Sequence, residues 1–184
     1  MKTEQQYFDE ALPMHDYIAQ MDVPFLKEGT EKIYNQFDVP NDGFAERLAG
    51  HKILAITENW CGDAMLNNPI MLKIAEAAGI EMRAAFRDAD TNLIDNYLTN
   101  GGRAIPIYLV LNEAGAVVAK WGPRAPELQL LVVNGRAELP PKEDEGYAAA
   151  EKALYGGLQQ KYIAESQCWS WVYEDIKRVV TAAL

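Results

Sequence analysis

A seven-residue stretch between a predicted strand and a predicted helix constrains this chain more than any other feature. The apolar run Ile53–Thr57 predicts a buried strand, and the amphipathic run Met65–Ala78 predicts a helix. The intervening residues are Glu-Asn-Trp-Cys-Gly-Asp-Ala, so that Cys61 lies where the strand turns into the helix. Free backbone N–H groups and the positive end of the helix dipole favour a thiolate at such a turn. Cys61 is therefore a candidate nucleophile.

Composition limits the partners of this cysteine. The 184 residues carry a formal charge of −10, whereas nucleic-acid binding needs clustered Lys and Arg, so nucleic acid is not an expected partner. No apolar stretch approaches the ~20 residues of a membrane helix, and the polar start is unlike a signal peptide, which predicts a cytoplasmic protein without a membrane partner. Nothing in the sequence specifies an oligomeric state.

Two cysteines that lie far apart do not form a disulfide framework, and reduced thiols fit a reducing compartment. Cys168 follows the pattern of an apolar helix and is predicted to pack in the core, with a resolving role as the minor alternative. The sequence does not exclude a disulfide between Cys61 and Cys168.

The order of the predicted elements indicates an α/β fold. Helical patterns lead up to the strand before Cys61, and strands, helices and a final strand hairpin then alternate, which favours a mixed sheet. Three further helices follow. The predicted elements after the cysteine helix are strand 80–86, helix 91–99, strand 105–111, strand 116–121 and helices beginning near 127, 147 and 168.

Several landmarks in this order resemble the thioredoxin superfamily. They are Trp60-Cys61-Gly62 at a helix start, Pro69 inside that helix, Ile105-Pro106 opening a strand, and Gly122 after the last strand. The resemblance implies a thioredoxin-like fold, a mixed sheet flanked by helices, with Cys61 as nucleophile and a cis Ile105–Pro106 bond facing it. The likeness covers about residues 48–133. The chain is predicted to form a single domain, 1–184, with helical extensions at about 4–47 and 143–184.

The chain also departs from the family pattern. Ala64 stands where the family has its second cysteine and Asp63 where it has a proline, while the family's buried acid on the central strand is replaced by Ala55. Disulfide exchange within the motif is therefore excluded. A thiolate can still attack a disulfide if a small thiol from solution completes the cycle, which makes a single-cysteine oxidoreductase or thiol-handling protein the favoured function.

The expected site combines the motif with residues near the cis proline. Cys61 is the nucleophile, and Asp63 should raise its pKa by like-charge repulsion. Arg103 and Arg124 are expected to oppose that effect. The surface expected to hold a protein partner or a low-molecular-weight thiol or disulfide consists of Trp60, Gly62, Ile105 and Pro106.

A different class of function also fits the sequence. The domain could be a non-catalytic module that binds an extended peptide along the cis-proline edge, with Cys61 as an inert remnant. His15 and His51 are isolated, so neither a metal site nor another cofactor is predicted.

Overall fold

The strand that precedes Cys61 lies at the centre of a five-stranded mixed sheet in the computed structural model, which describes residues 1–184. The strands are β1 (Leu12–Pro13), β2 (Lys52–Thr57), β3 (Met82–Phe86), β4 (Ile107–Leu111) and β5 (Val117–Trp121). Their order is β1-β3-β2-β4-β5, with β2 and β3 parallel and the other pairs antiparallel. The predicted α/β fold with a mixed sheet is confirmed.

Eight α-helices and one 3-10 helix surround the sheet. They are α1 (Glu4–Glu10), α2 (Met14–Ala19), α3 (Pro24–Gln36), the 3-10 helix (Ala45–Leu48), α4 (Gly62–Ala78), α5 (Thr91–Asp95), α6 (Pro126–Ala137), α7 (Tyr147–Ala164) and α8 (Ser166–Ala183). Pro69 lies inside α4, as the sequence predicted. None of these helices has the length and apolar character needed to cross a membrane.

The short strand β1 was not predicted. The helical patterns predicted ahead of Cys61 included this segment, but Leu12 and Pro13 pair antiparallel with Ala84 and Arg83 of β3. A residue before proline avoids the helical region, and proline, which has no N–H, is tolerated on an edge strand. The local preference for extended backbone therefore prevails over the flanking helical periodicity.

The central strand is buried on both faces because its side chains alternate between two apolar clusters. Ile53 and Ala55 belong to a cluster of 34 buried residues, and Leu54 and Ile56 belong to a cluster of 10 on the other face. The larger cluster draws on both ends of the chain, since it includes residues of α2, α3, α7 and α8. The helical extensions thus share an apolar core with the thioredoxin-like part.

Candidate functional site

Cys61 is the residue immediately before α4, and its thiol lies against the loop that leads into β4. The backbone of Cys61 is extended (φ −87°, ψ 123°), and Sγ donates to the carbonyl oxygen of Ile105 at 3.7 Å. The Ile105–Pro106 peptide bond is cis, as predicted. The thiol is therefore held next to the backbone that precedes the cis proline. Pro106 itself is buried.

Gly122 stands opposite this loop because a side chain would not fit there. Its φ is +121°, and a Cβ atom would collide with the carbonyl oxygen of Pro106. The following Gly122–Pro123 bond is also cis, which the sequence did not predict. The two loops thus approach each other backbone to backbone beside Cys61.

Asp63, in the first turn of α4, forms an ion pair with Arg124. The carboxylate oxygen Oδ2 lies 2.9 Å from Arg124 Nε and 2.8 Å from Nη2. Both side chains are largely buried, with 14% of Asp63 and 16% of Arg124 exposed. Arg124 Nη1 also donates to Gln129 Oε1 at 2.9 Å. The expectation that Arg124 lies near the acidic residue of the motif agrees with this geometry.

The surroundings of Cys61 favour the neutral thiol. The pKa of Cys61 is raised to about 11, mainly by burial and secondly by the charge of Asp63. The backbone N–H groups of Ala64 and Asp63 and the charge of Arg124 act in the opposite direction. Repulsion by Asp63 thus has the predicted sign, but burial is the larger cause. Burial likewise raises the pKa of Asp63, against the opposing effect of Arg124.

The buried polar groups at the sheet position of the family's missing acid are neutral. Ala55, at the position where the family carries a buried acid, pairs across the sheet with Tyr108. The Tyr108 hydroxyl donates to Asn68 Oδ1 at 2.6 Å, and Asn68 Nδ2 donates to Thr57 Oγ1 at 3.2 Å. These hydroxyl and amide groups satisfy one another. They offer no carboxylate base to the thiol.

The second predicted arginine lies elsewhere. Arg103 is exposed and pairs with Asp95, with Nε 2.7 Å from Oδ1 and Nη2 3.0 Å from Oδ2. Arg87, at the end of β3, lies beside the motif instead, and its guanidinium is 5.2 Å from the centre of the Trp60 ring. Trp60 is 51% exposed, so that one face of the site carries an accessible aromatic ring.

An open cavity of about 510 Å³ lies beside Cys61. Six of the predicted site residues line it, whereas Arg103 and Pro106 do not. The six are Trp60, Cys61, Gly62, Asp63, Ile105 and Arg124.

The opposite wall of the cavity comes from α6 and α7, which sequence reasoning did not connect with the site. It contributes Arg136, Tyr155 and Gln159. Gln159 packs so closely on the start of α4 that a Cβ at Gly62 would lie 2.6 Å from Gln159 Nε2. The glycine that follows the cysteine therefore allows α7 to approach. No local pattern in α6 or α7 indicates this contact.

The remaining candidates from the sequence are the second cysteine and a metal site. Cys61 and Cys168 are both free, and Cys168 is fully buried in the larger apolar cluster, as predicted. No group of three or more His, Cys, Asp or Glu side chains is arranged to hold a metal ion.

Comparisons with known proteins identify the fold and a family. Residues 11–143 match a family model described as thioredoxin. This match extends beyond the predicted likeness at 48–133, into the N-terminal helices. No curated protein sequence matches the chain.

Two solved structures are similar over their full length. One is the crystal structure of a protein of unknown function from Pseudomonas aeruginosa, with a TM-score of 0.64, 17% identity and complete coverage of both chains. The other is the crystal structure of an HIV epitope scaffold, with a TM-score of 0.62, 17% identity and complete coverage of both chains. At this identity the likeness shows the fold alone.

Proposed function

The chain belongs to the thioredoxin family, and from this premise we propose that it represents a single-cysteine branch that handles thiols through Cys61. The observation that carries the proposal is the position of Cys61. Its thiol lies before α4, against the Ile105 carbonyl, and borders a 510 Å³ cavity. A small disulfide fits a space of this size. The helix N-terminus would stabilise the thiolate during attack.

The proposed reaction has two exchange steps. Cys61 loses its proton to solvent, and the thiolate attacks one sulfur of a disulfide; a mixed disulfide with Cys61 forms, and the other half leaves as a thiolate. A second low-molecular-weight thiolate then attacks the mixed disulfide and restores the Cys61 thiolate. One disulfide and one thiol are thereby converted into a new disulfide and a new thiol. The small thiol takes the place of the resolving cysteine that Ala64 replaces.

The other residues have supporting roles in this proposal. Trp60 and Ile105, which precedes the cis proline, hold the partner, and Gly62 leaves room for Gln159 at the cavity wall. The charge of Asp63 raises the pKa of Cys61, and the charge of Arg124 lowers it. Arg87, rather than Arg103, supplies the positive charge beside Trp60.

The pH profile of Cys61 alkylation tests this proposal. Since the pKa of Cys61 is raised to about 11, its alkylation at neutral pH should be slow and should rise about tenfold per pH unit. Asp63→Asn removes a charge that raises the pKa, so it should speed alkylation at neutral pH by about tenfold per unit of lowered pKa. Mass spectrometry of the Cys61 peptide gives the rates.

Asp38→Asn is the matched control, because Asp38 is exposed and does not line the Cys61 cavity. It should leave the profile unchanged. If Asp63→Asn has no more effect on the alkylation rate than Asp38→Asn, Asp63 does not raise the pKa of Cys61.

Restoration of the second cysteine tests the scaffold. Ala64 is buried three residues after Cys61, at the family's resolving position. The Ala64→Cys variant is expected to form a reducible disulfide between Cys61 and the introduced thiol and to gain disulfide reductase activity, which non-reducing peptide mapping and an insulin-reduction assay would measure. Ala150→Cys on the N-terminal part of α7, outside the cavity, is the control and should gain neither. An Ala64→Cys variant that keeps two free thiols at these positions under oxidising conditions would contradict the proposed geometry.

A binding module is the second candidate function, and two observations favour it. The raised pKa keeps Cys61 protonated, and the N–H of Ile105 donates to no other group of the chain, which leaves it free to pair with a guest strand. In that case Cys61→Ser would retain partner binding in full. A thiol-handling protein would instead lose its mixed disulfides in that variant.

A further inference from the structure

The cavity beside Cys61 is rich in positive charge although the chain carries a net charge of −10. Three arginines line it, Arg87, Arg124 and Arg136, against a single carboxylate, that of Asp63. In an acidic protein such a concentration of guanidinium groups is a local feature that the overall composition does not explain. It indicates that the cavity accommodates negative charge.

Two of the three arginines are already paired with carboxylates. Arg124 binds Asp63, and Arg87 binds Asp88, with Nε 2.8 Å from Oδ1 and Nη2 3.1 Å from Oδ2. Arg136 forms no ion pair; its Nε donates to the Tyr155 hydroxyl at 2.7 Å. The Nη hydrogens of Arg136 are thus left for a ligand, and the contact with Tyr155 fixes the guanidinium.

We propose that Arg136, oriented by Tyr155, binds a carboxylate of a small anionic disulfide whose sulfur reaches Cys61. This inference rests on the proposed function and names the class of its substrate. The anion subsite belongs to α6 and α7, and Arg136, Tyr155 and Gln159 all lie outside the predicted core at 48–133. The C-terminal helices thereby contribute to substrate choice as well as to the apolar core.

The size of the cavity and its mixture of groups favour a small ligand. A volume of about 510 Å³ lies within the range of pockets for small molecules and cofactors. Cys61 and Arg136 border the same space, so one molecule could engage both. Polar side chains of Asn100, Gln129 and Gln159 also line this space. They can hydrogen-bond a substrate that also contains peptide-like groups.

Dithiodipropionate, a disulfide with a carboxylate at each end, serves as the probe. The Cys61 thiolate attacks one of its sulfurs, the S–S bond breaks, Cys61 is left in a mixed disulfide with mercaptopropionate, and the second mercaptopropionate leaves as a thiolate. The Cys61 proton goes to solvent. The mixed disulfide is read as a mass increase of the intact protein, with Cys61→Ser as the blank.

The charge of the disulfide is the variable in the first experiment. Dithiodipropionate, neutral bis(hydroxyethyl) disulfide and cationic cystamine are compared, and each rate is divided by the rate of the same disulfide with free mercaptoethanol. We expect the anionic probe to react about tenfold faster than the neutral one, the size of effect that a charged hydrogen bond supplies, and the cationic probe to react slowest. Added salt should reduce the difference. Equal normalised rates for all three probes would overturn the proposal.

Matched variants connect the preference to Arg136. Arg136→Gln should abolish the advantage of dithiodipropionate over the neutral disulfide, whereas Arg136→Lys should retain part of it. Arg47→Gln changes an exposed arginine of the 3-10 helix outside the cavity and should alter neither rate. A preference that survives Arg136→Gln would also overturn the proposal.

A second experiment separates this inference from the proposed thiol chemistry. Suberate has the length of dithiodipropionate with two methylene groups in place of the sulfurs, and its binding to Cys61→Ser needs no reaction. Calorimetric titration should show binding that Arg136→Gln abolishes and Arg47→Gln retains. If suberate binds but Cys61 reacts with no disulfide, the anion site stands and the thiol function fails. If Cys61 reacts without a charge preference and suberate does not bind, the thiol function stands and the anion site fails.

Discussion

Removal of residues 141–184 is expected to leave a chain that does not fold cooperatively. The deleted part includes α8, whose six buried side chains belong to the same apolar cluster as the central strand. At roughly 1.5–3 kcal/mol for each buried apolar side chain, their loss is about 9–18 kcal/mol, which is as large as the whole stability of a typical domain. Calorimetry of the truncated and full-length proteins measures the effect. The six residues are Cys168, Trp169, Val172, Tyr173, Ile176 and Val180.

Single substitutions test the same contact without deletion. Ile176→Ala should lower the free energy of unfolding by about 2–5 kcal/mol, since Ile176 is fully buried. Val133→Ala on α6 is the control, because that side chain is 50% exposed, and its effect should stay within about 0.5 kcal/mol. A truncated chain that melts cooperatively near the full-length temperature would mean that α7 and α8 form a separate appendage. The sequence-based prediction of one domain over 1–184 would then fail.

The parts of the fold that the sequence predicted have strong local patterns. The runs at Ile53–Thr57 and Ile107–Leu111 are almost continuously apolar because both strands are buried on two faces. The helices have apolar stripes, and Gly79, in the left-handed conformation at φ 69°, ends α4. By contrast, β1 consists of two residues and exists through its pairing with β3. A strand of that length has no periodicity that a sequence could reveal.

The candidate site shows the same division between local and tertiary information. Several features of the site agree with expectations taken from the motif and its order along the chain. They are the positions of Cys61 and Asp63, the cis bond before Pro106 and the contact of Arg124 with Asp63. Arg87 lines the cavity, whereas the sequence had predicted Arg103 there. Arg103 instead forms an ion pair with Asp95 outside the cavity.

The wall formed by Arg136, Tyr155 and Gln159 depends on how α6 and α7 pack against the start of α4. That contact joins residues about a hundred positions apart, as between Gly62 and Gln159. The sequence marks Gly62 as part of a motif, but only the packed structure reveals which side chain fills the space above it.

Arg124→Met is expected to lower the free energy of unfolding by about 3–5 kcal/mol, because it leaves the buried carboxylate of Asp63 without its cation. Burial already raises the pKa of Asp63, and loss of Arg124 should raise that pKa further. An acid whose pKa is higher in the folded state than in the unfolded state binds more protons when folded, so stability falls as pH rises. The destabilisation by Arg124→Met should therefore be largest at neutral pH and diminish in acid. Urea denaturation at several pH values measures it.

The double variant Arg124→Met, Asp63→Asn distinguishes loss of the ion pair from loss of packing. It leaves no buried charge, so it should recover most of the stability and lose the pH dependence of the single variant. Arg103→Met is the control, because Arg103 is 50% exposed and its partner Asp95 is 42% exposed, so their ion pair should contribute less than about 1 kcal/mol. If the double variant is no more stable than Arg124→Met alone, the guanidinium acts through its contact with Gln129 and through packing. The role of Asp63 would then be confined to the pKa of Cys61, a property that the same set of variants tests by alkylation.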